Sequence, residues 1–219
     1  MAMKQGPCAY CGTTAFKREK GHVVPDCVYP PSLDPRVQRI TVPECSRCKT
    51  IWQNAETQFR NIMMIAGEPN AHVRELWEGS VTRSFDKPSG PRWVADLIEQ
   101  LVPVETEDGP RHKVYPGRDQ RVMLVVRKII RGLCHKERVA TAVDDRRVWA
   151  DVMVYSMPEQ FRREMTWKQL GHEFFRYGFA VQNDSEFDIH SAWSLIFFGQ
   201  REFIGVVSLS EAGWSSAGE

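Results

Sequence analysis

Four cysteines stand in two pairs, Cys8 with Cys11 and Cys45 with Cys48, and 33 residues separate the pairs. A CxxC turn presents two sulfurs to one ion, and two such turns complete the tetrahedron of soft ligands that Zn²⁺ takes in structural sites. Gly12 follows Cys11, where a tight knuckle asks for a positive φ. The spacing therefore predicts one structural zinc on Cys8, Cys11, Cys45 and Cys48, with four buried free thiols or a disulfide as the alternatives. Cys27 and Cys134 lack partner spacing and read as packing residues; His135 beside Cys134 makes a lone Cys-His pair, which is no metal motif by itself. Between the pairs stands His22, whose imidazole titrates near neutrality and suits general-base work.

These side chains need a scaffold that folds back on itself. The spacer reads as a strand, "KGHVVP", a proline-rich loop, "DCVYPPSLDP", and a second strand, "RITVPE". A helix follows from near Ser46, which is placed to cap it, and Trp52, Ala55, Phe59, Ile62 and Met63 recur at helical spacing. The expected order is β, loop, β, helix, with zinc at the base and His22 in the first strand opposite the start of the helix.

The run CxxC, HVxP, strand, VPxCxxC, helix resembles the HNH endonuclease family in its zinc-stapled form. The likeness lies in "HVVP…YP…ITVPECSRCK…W…AETQFR" and covers residues 8 to about 63. It implies a ββα-metal nuclease in which a divalent cation, Mg²⁺ or Mn²⁺, holds the phosphate while His22 takes a proton from the attacking water. The chain departs from the family at three positions. The carboxylate expected before the histidine is Gly21, the amide or imidazole expected after the last cysteine is Lys49, and the bracing asparagine of the second strand becomes Gln38. Two expectations follow. Either displaced ligands, Glu19, Gln53 and Glu56, take the cation, since positions 49, 53 and 56 share a helix face. Or cleavage is lost and Lys49 holds a phosphate in a module that only binds.

Further along, "GEPN", "KPSGP", "EDGPRH" and "YPG" punctuate residues 67–117 as turns, with short helices in "AHVRELWEG" and "PRWVADLIEQLV", the second opening at Pro91. The stretch "RDQRVMLVVRKIIRGLCHK" predicts a helix over 118–136 with Val122, Val125, Ile129 and Leu133 as its apolar stripe. Arg121, Arg127, Lys128, Arg131 and Lys136 surround that stripe and read as a solvated face before phosphate contacts. Strand character then appears in "WADVMVYS", "FFRYGFAV", "AWSLIFFG" and "EFIGVVSL", the last two joined by a turn at Gly199. Trp149, Phe174, Phe175, Tyr177, Phe179, Trp193, Phe197, Phe198 and Phe203 fit the core of a small antiparallel sheet better than a base-stacking platform. A mobile tail is expected from Ser208 onward.

Composition bounds the rest. The chain has 219 residues and a formal net charge of +1, which excludes a uniform polycation, although residues 1–66 carry nine Lys/Arg against five Asp/Glu. It contains no Gly-rich phosphate loop, nucleophile elbow or internal repeat. It also lacks an apolar run of membrane-spanning length or a secretory h-region, so a cytoplasmic location is expected. The sequence thus predicts an α+β protein: a ββα zinc finger over 1–66, connecting helices and turns over 67–117, and over 118–219 a helix packed on a small antiparallel sheet. The expected partner is nucleic acid, DNA before RNA, with membership of a larger protein complex as a further role.

Overall fold

A computed structural model describes residues 6–14 and 19–211 of the chain. The elements in order are β1 (Glu19–His22), β2 (Thr41–Glu44), α1 (Ser46–Ile65), α2 (Ala71–Leu76), α3 (Thr82–Phe85) and α4 (Gly90–Glu99). They continue as β3 (Leu101–Thr106), β4 (Gly109–Val114), α5 (Gln120–Lys136), β5 (Val148–Val152), α6 (Glu159–Glu164), β6 (Thr166–Leu170), β7 (Phe175–Asp184), β8 (Ile189–Phe197) and β9 (Arg201–Ser208). The protein is mixed α+β. β1 and β2 form an antiparallel pair with Gly21 opposite Val42 and His22 opposite Thr41. The large sheet is antiparallel throughout, in the order β5-β9-β8-β7-β6.

α1 buries one face. Trp52, Ala55, Phe59, Ile62 and Met63 are all buried, and each such large side chain withdrawn from water contributes about 1.5–3 kcal/mol. Phe59 meets Phe197 of β8 edge-on at 5.4 Å, so the helix that starts at the cysteines ends on the sheet. Cys45, not Ser46, caps α1: its sulfur accepts from the Cys48 amide at 3.5 Å.

α5 lies between the β1–β2 pair and the large sheet, meeting β2 on one side and β5 and β9 on the other. Its stripe of Val122, Val125, Ile129 and Leu133 is fully buried. Its N-terminus is capped by Asp119, which accepts from the Arg121 amide and from Gln58 Nε2 of α1, each at 2.9 Å. Gly132 lets the helix approach the finger: a Cβ there would stand 2.9 Å from Val23 Cγ2 and 3.0 Å from Tyr10 Oη. This close approach overturns the solvated face for two of the five α5 cations; Arg121 and Arg127 are partly exposed and Lys136 is exposed. Lys128 and Arg131 are buried, because they lie on the side of the helix that meets the finger.

Three local readings also change. The helix expected to run through Val102 stops at Glu99, and residues 101–114 form a hairpin around Glu107 and Asp108. Pro103 and Pro110 are tolerated in these strands because the pair stands apart from the other sheets, so each strand has a free edge. α6 and the edge strand β6 give little sequence signal, because "EQFRRE" and "TWKQL" are short and mostly polar. Of the nine aromatics assigned to the sheet, seven are buried; Phe179 is partly buried, stacked on Trp193 at 5.0 Å, and Trp149 is exposed. Of the tail, residues 212–219 lie outside the described residues. No helix among the described residues is long and apolar enough to cross a membrane.

Candidate metal centre and the His22 pocket

The first knuckle closes by backbone bonds: the Gly12 amide donates to Cys8 O at 3.0 Å and the Cys8 amide to Thr13 O at 2.9 Å. Gly12 takes φ +70, as the turn requires. The Ala9 amide donates to Pro43 O at 2.8 Å, which fixes the knuckle to β2, and the second pair occupies the first turn of α1. The four sulfurs lie within 4.8 Å of one another. Cys11 Sγ and Cys45 Sγ are 3.7 Å apart, far beyond a disulfide bond. Zinc–sulfur bonds of about 2.3 Å in a tetrahedron set sulfurs about 3.8 Å apart, so the cluster fits a zinc ion. Zn²⁺ bound by Cys8, Cys11, Cys45 and Cys48 would have four thiolates and no open position, which is structural rather than catalytic chemistry. Cys27 and Cys134 stand elsewhere; burial pushes both thiols up to about 12, the mark of inert packing cysteines.

Arg131 ties the knuckle to α5. Its guanidinium donates to Tyr10 O at 2.8 Å and to Val143 O at 2.7 Å, and it stacks over the Trp52 ring. On the opposite side of Trp52 a cavity of about 520 Å³ opens between β1, β2 and α1, lined by His22, Asp26, Glu44, Lys49, Gln53 and Glu56, with Lys128 among its walls. The helix face inferred from spacing is confirmed, since Lys49, Gln53 and Glu56 all reach this cavity.

His22 stands at its mouth with its side chain 32% exposed and Nδ1 3.4 Å from Asp26 Oδ1. Burial lowers the imidazole pKa below its ordinary value; Asp26 opposes that shift, while Arg39 and Lys128 reinforce it. Asp26 is also ion-paired with Arg39, whose guanidinium lies over the Tyr29 ring. Arg39 therefore braces the proline-rich loop, a task the family pattern assigned to Gln38, which is exposed ahead of β2.

Of the three side chains expected to replace the missing cation ligands, Gln53 lines the cavity, whereas Glu19 and Glu56 have other partners. Glu19 accepts from Lys49 Nζ at the cavity's rim. Glu56 accepts from the ammonium of Lys128. Glu44, 3% exposed, accepts from Trp52 Nε1 at 2.9 Å, and burial raises its pKa. Its side chain fills the space beside Gly21, where a Cβ would stand 2.4 Å from Glu44 Oε2. Mg²⁺ requires several oxygens free to surround it in near-octahedral order. The carboxylates around His22 do not offer that: Glu19 and Glu56 are paired with ammonium groups, Asp26 with the Arg39 guanidinium, and Glu44 is committed to an indole.

Four residues of this pocket escaped the sequence reading. Asp26 had a signal, a carboxylate four residues beyond the histidine. Glu44 had another, since it alternates with Val42 on the inward face of β2. Arg39 had none, and Lys128 stood only among the cations of a helix face read as solvated; both arrive by tertiary packing. Comparison with family models, curated proteins and solved structures finds no match for this chain.

Proposed function

We propose that the chain is an HNH-like nucleic-acid enzyme, which holds a backbone phosphodiester of DNA, in preference to RNA, at the His22 pocket and hydrolyses it with His22 as general base. The observation that carries this reading is the imidazole itself, partly exposed at the mouth of a polar cavity, backed by Asp26 and rooted on strands that the four-cysteine cluster staples together. With the Nδ1 proton facing Asp26, Nε2 keeps its lone pair. It takes a proton from water, whose oxygen bonds to phosphorus. The scissile P–O bond breaks, and the leaving oxygen keeps the electron pair and is protonated by solvent. A lowered pKa keeps the imidazole neutral at pH 7, the state a base needs.

A second reading, binding without cleavage, is favoured by the lysine partners of Glu19 and Glu56. Cleavage of single- and double-stranded DNA and RNA by zinc-loaded protein decides between them. The first reading expects cleavage that falls by about 10²–10⁴-fold in His22→Ala with binding retained. Binding with no cleavage above that variant would establish the second. Equal cleavage by His22→Ala would refute the assigned base.

A further inference from the structure

Lys128 is 2% exposed, which is rare for lysine and demands partners. It comes from α5, outside the finger, and its Nζ donates to Glu56 and, at 2.8 Å, to the main-chain oxygen of His22. The ammonium also lies 6.0 Å from the Tyr10 ring centroid. It thus holds the backbone of the proposed base and neutralises a carboxylate of the same pocket.

A divalent ion on Glu56 would have to displace this ammonium or sit beside it. Displacement strands a buried lysine without its anion, and proximity sets two cations against each other on one carboxylate. The other two carboxylates of the cavity are engaged by Arg39 and by Trp52.

We propose that Lys128 is the resident cation of the His22 pocket, and that by holding Glu56 it makes the pocket exclude Mg²⁺ and Mn²⁺. The exclusion of divalent ions does not rest on the function proposed above.

The test is a titration of zinc-loaded protein with Mn²⁺, followed by the electron paramagnetic resonance of the free ion. Wild type should leave Mn²⁺ free up to about 1 mM, the weak end of oxygen-ligand cation sites. Lys128→Gln releases Glu56 and should tighten Mn²⁺ binding by about tenfold or more, a gain that adding Glu56→Gln removes. Wild-type binding at or below about 0.1 mM that is lost in Glu56→Gln or Glu44→Gln overturns the proposal. So does a folded Lys128→Gln, checked by circular dichroism and zinc content, with no gain. Should that variant fail to fold, the wild-type titration decides alone. Cleavage follows in buffer freed of magnesium and manganese. Activity there supports the exclusion, and activity that appears only with Mg²⁺ refutes it. Absence of cleavage in both buffers ends the hydrolytic reading, and the Mn²⁺ titration still decides the exclusion.

Discussion

Around Phe197 the close neighbours are rings: Phe59, Phe175, Phe198 and Phe203 stand 4.6 to 6.5 Å away, centroid to centroid. Around Lys128, which pairs with Glu56 one turn before Phe59 on α1, they are a carboxylate, a main-chain carbonyl and one tyrosine ring. Both places are buried, yet their energetics differ. A ring cluster gains from the area it removes from water and tolerates small errors in geometry. A buried ion pair offsets a large desolvation cost only while both partners stay in place. The sheet end is therefore built for stability, and the finger end keeps charged groups oriented at some cost in stability. Such retention of charge in an interior is what a polar working site needs.

The largest effect should come from the root of the finger. Cys45→Ser leaves three sulfurs, and a structural zinc of this kind contributes on the order of 10 kcal/mol to the fold that holds it. Purified wild type should carry about one zinc per chain. The variant should carry none and lose helical circular dichroism. A zinc-free variant that stays folded would remove the staple from the comparison.

Next come the two interiors themselves. Phe197→Ala should cost about 3–5 kcal/mol in chemical denaturation, the usual range for emptying an aromatic site. Lys128→Met should cost about 3 kcal/mol, the low end for breaking a buried pair, since Glu56 keeps some contact with water. The double change Lys128→Met with Glu56→Leu should recover most of that loss, whereas no second change of charge should rescue Phe197→Ala. A double variant as unstable as the single one would mean that the finger end does not behave as an ion-paired interior.

A smaller effect is expected at Gly21. Gly21→Asp would restore the carboxylate that the family likeness calls for, but its side chain collides with Glu44, so an overpacking loss of about 1–3 kcal/mol should result. Adding Glu44→Ala should relieve it. Unchanged stability in the single variant would show that Glu44 moves aside freely.

The smallest effect is the titration of His22, read by the chemical shift of its ring protons. The imidazole should titrate below 6.5, because burial disfavours its charged form, and Asp26→Asn should lower it further by removing the opposing anion. The native state then binds fewer protons than the unfolded state between its own pKa and 6.5. Stability from this group is present above 6.5 and is lost as pH falls through that window. A midpoint above 6.5 would place His22 in the control of Asp26 instead.

What the sequence determined by itself is local. Two CxxC pairs, the β-loop-β-helix order around His22, the stripes of α1 and α5 and the aromatic strands β7 to β9 were all legible, because each rests on spacing along a few residues. The hairpin at 101–114, α6 and β6 were less so, since their residues carry weak propensities and prolines that mislead. What only the tertiary structure decided is the state of the pocket. Lys128 and Arg131 look solvent-exposed on a helical wheel, and they become interior groups because Gly132 lets α5 press against Val23 and Tyr10. Glu44 closes the space beside Gly21 from the neighbouring strand, and Arg39 reaches Asp26 across the proline-rich loop. The partner of Lys128 lies 72 residues away in sequence, and no pattern of spacing encodes which charge will neutralise which once the chain folds.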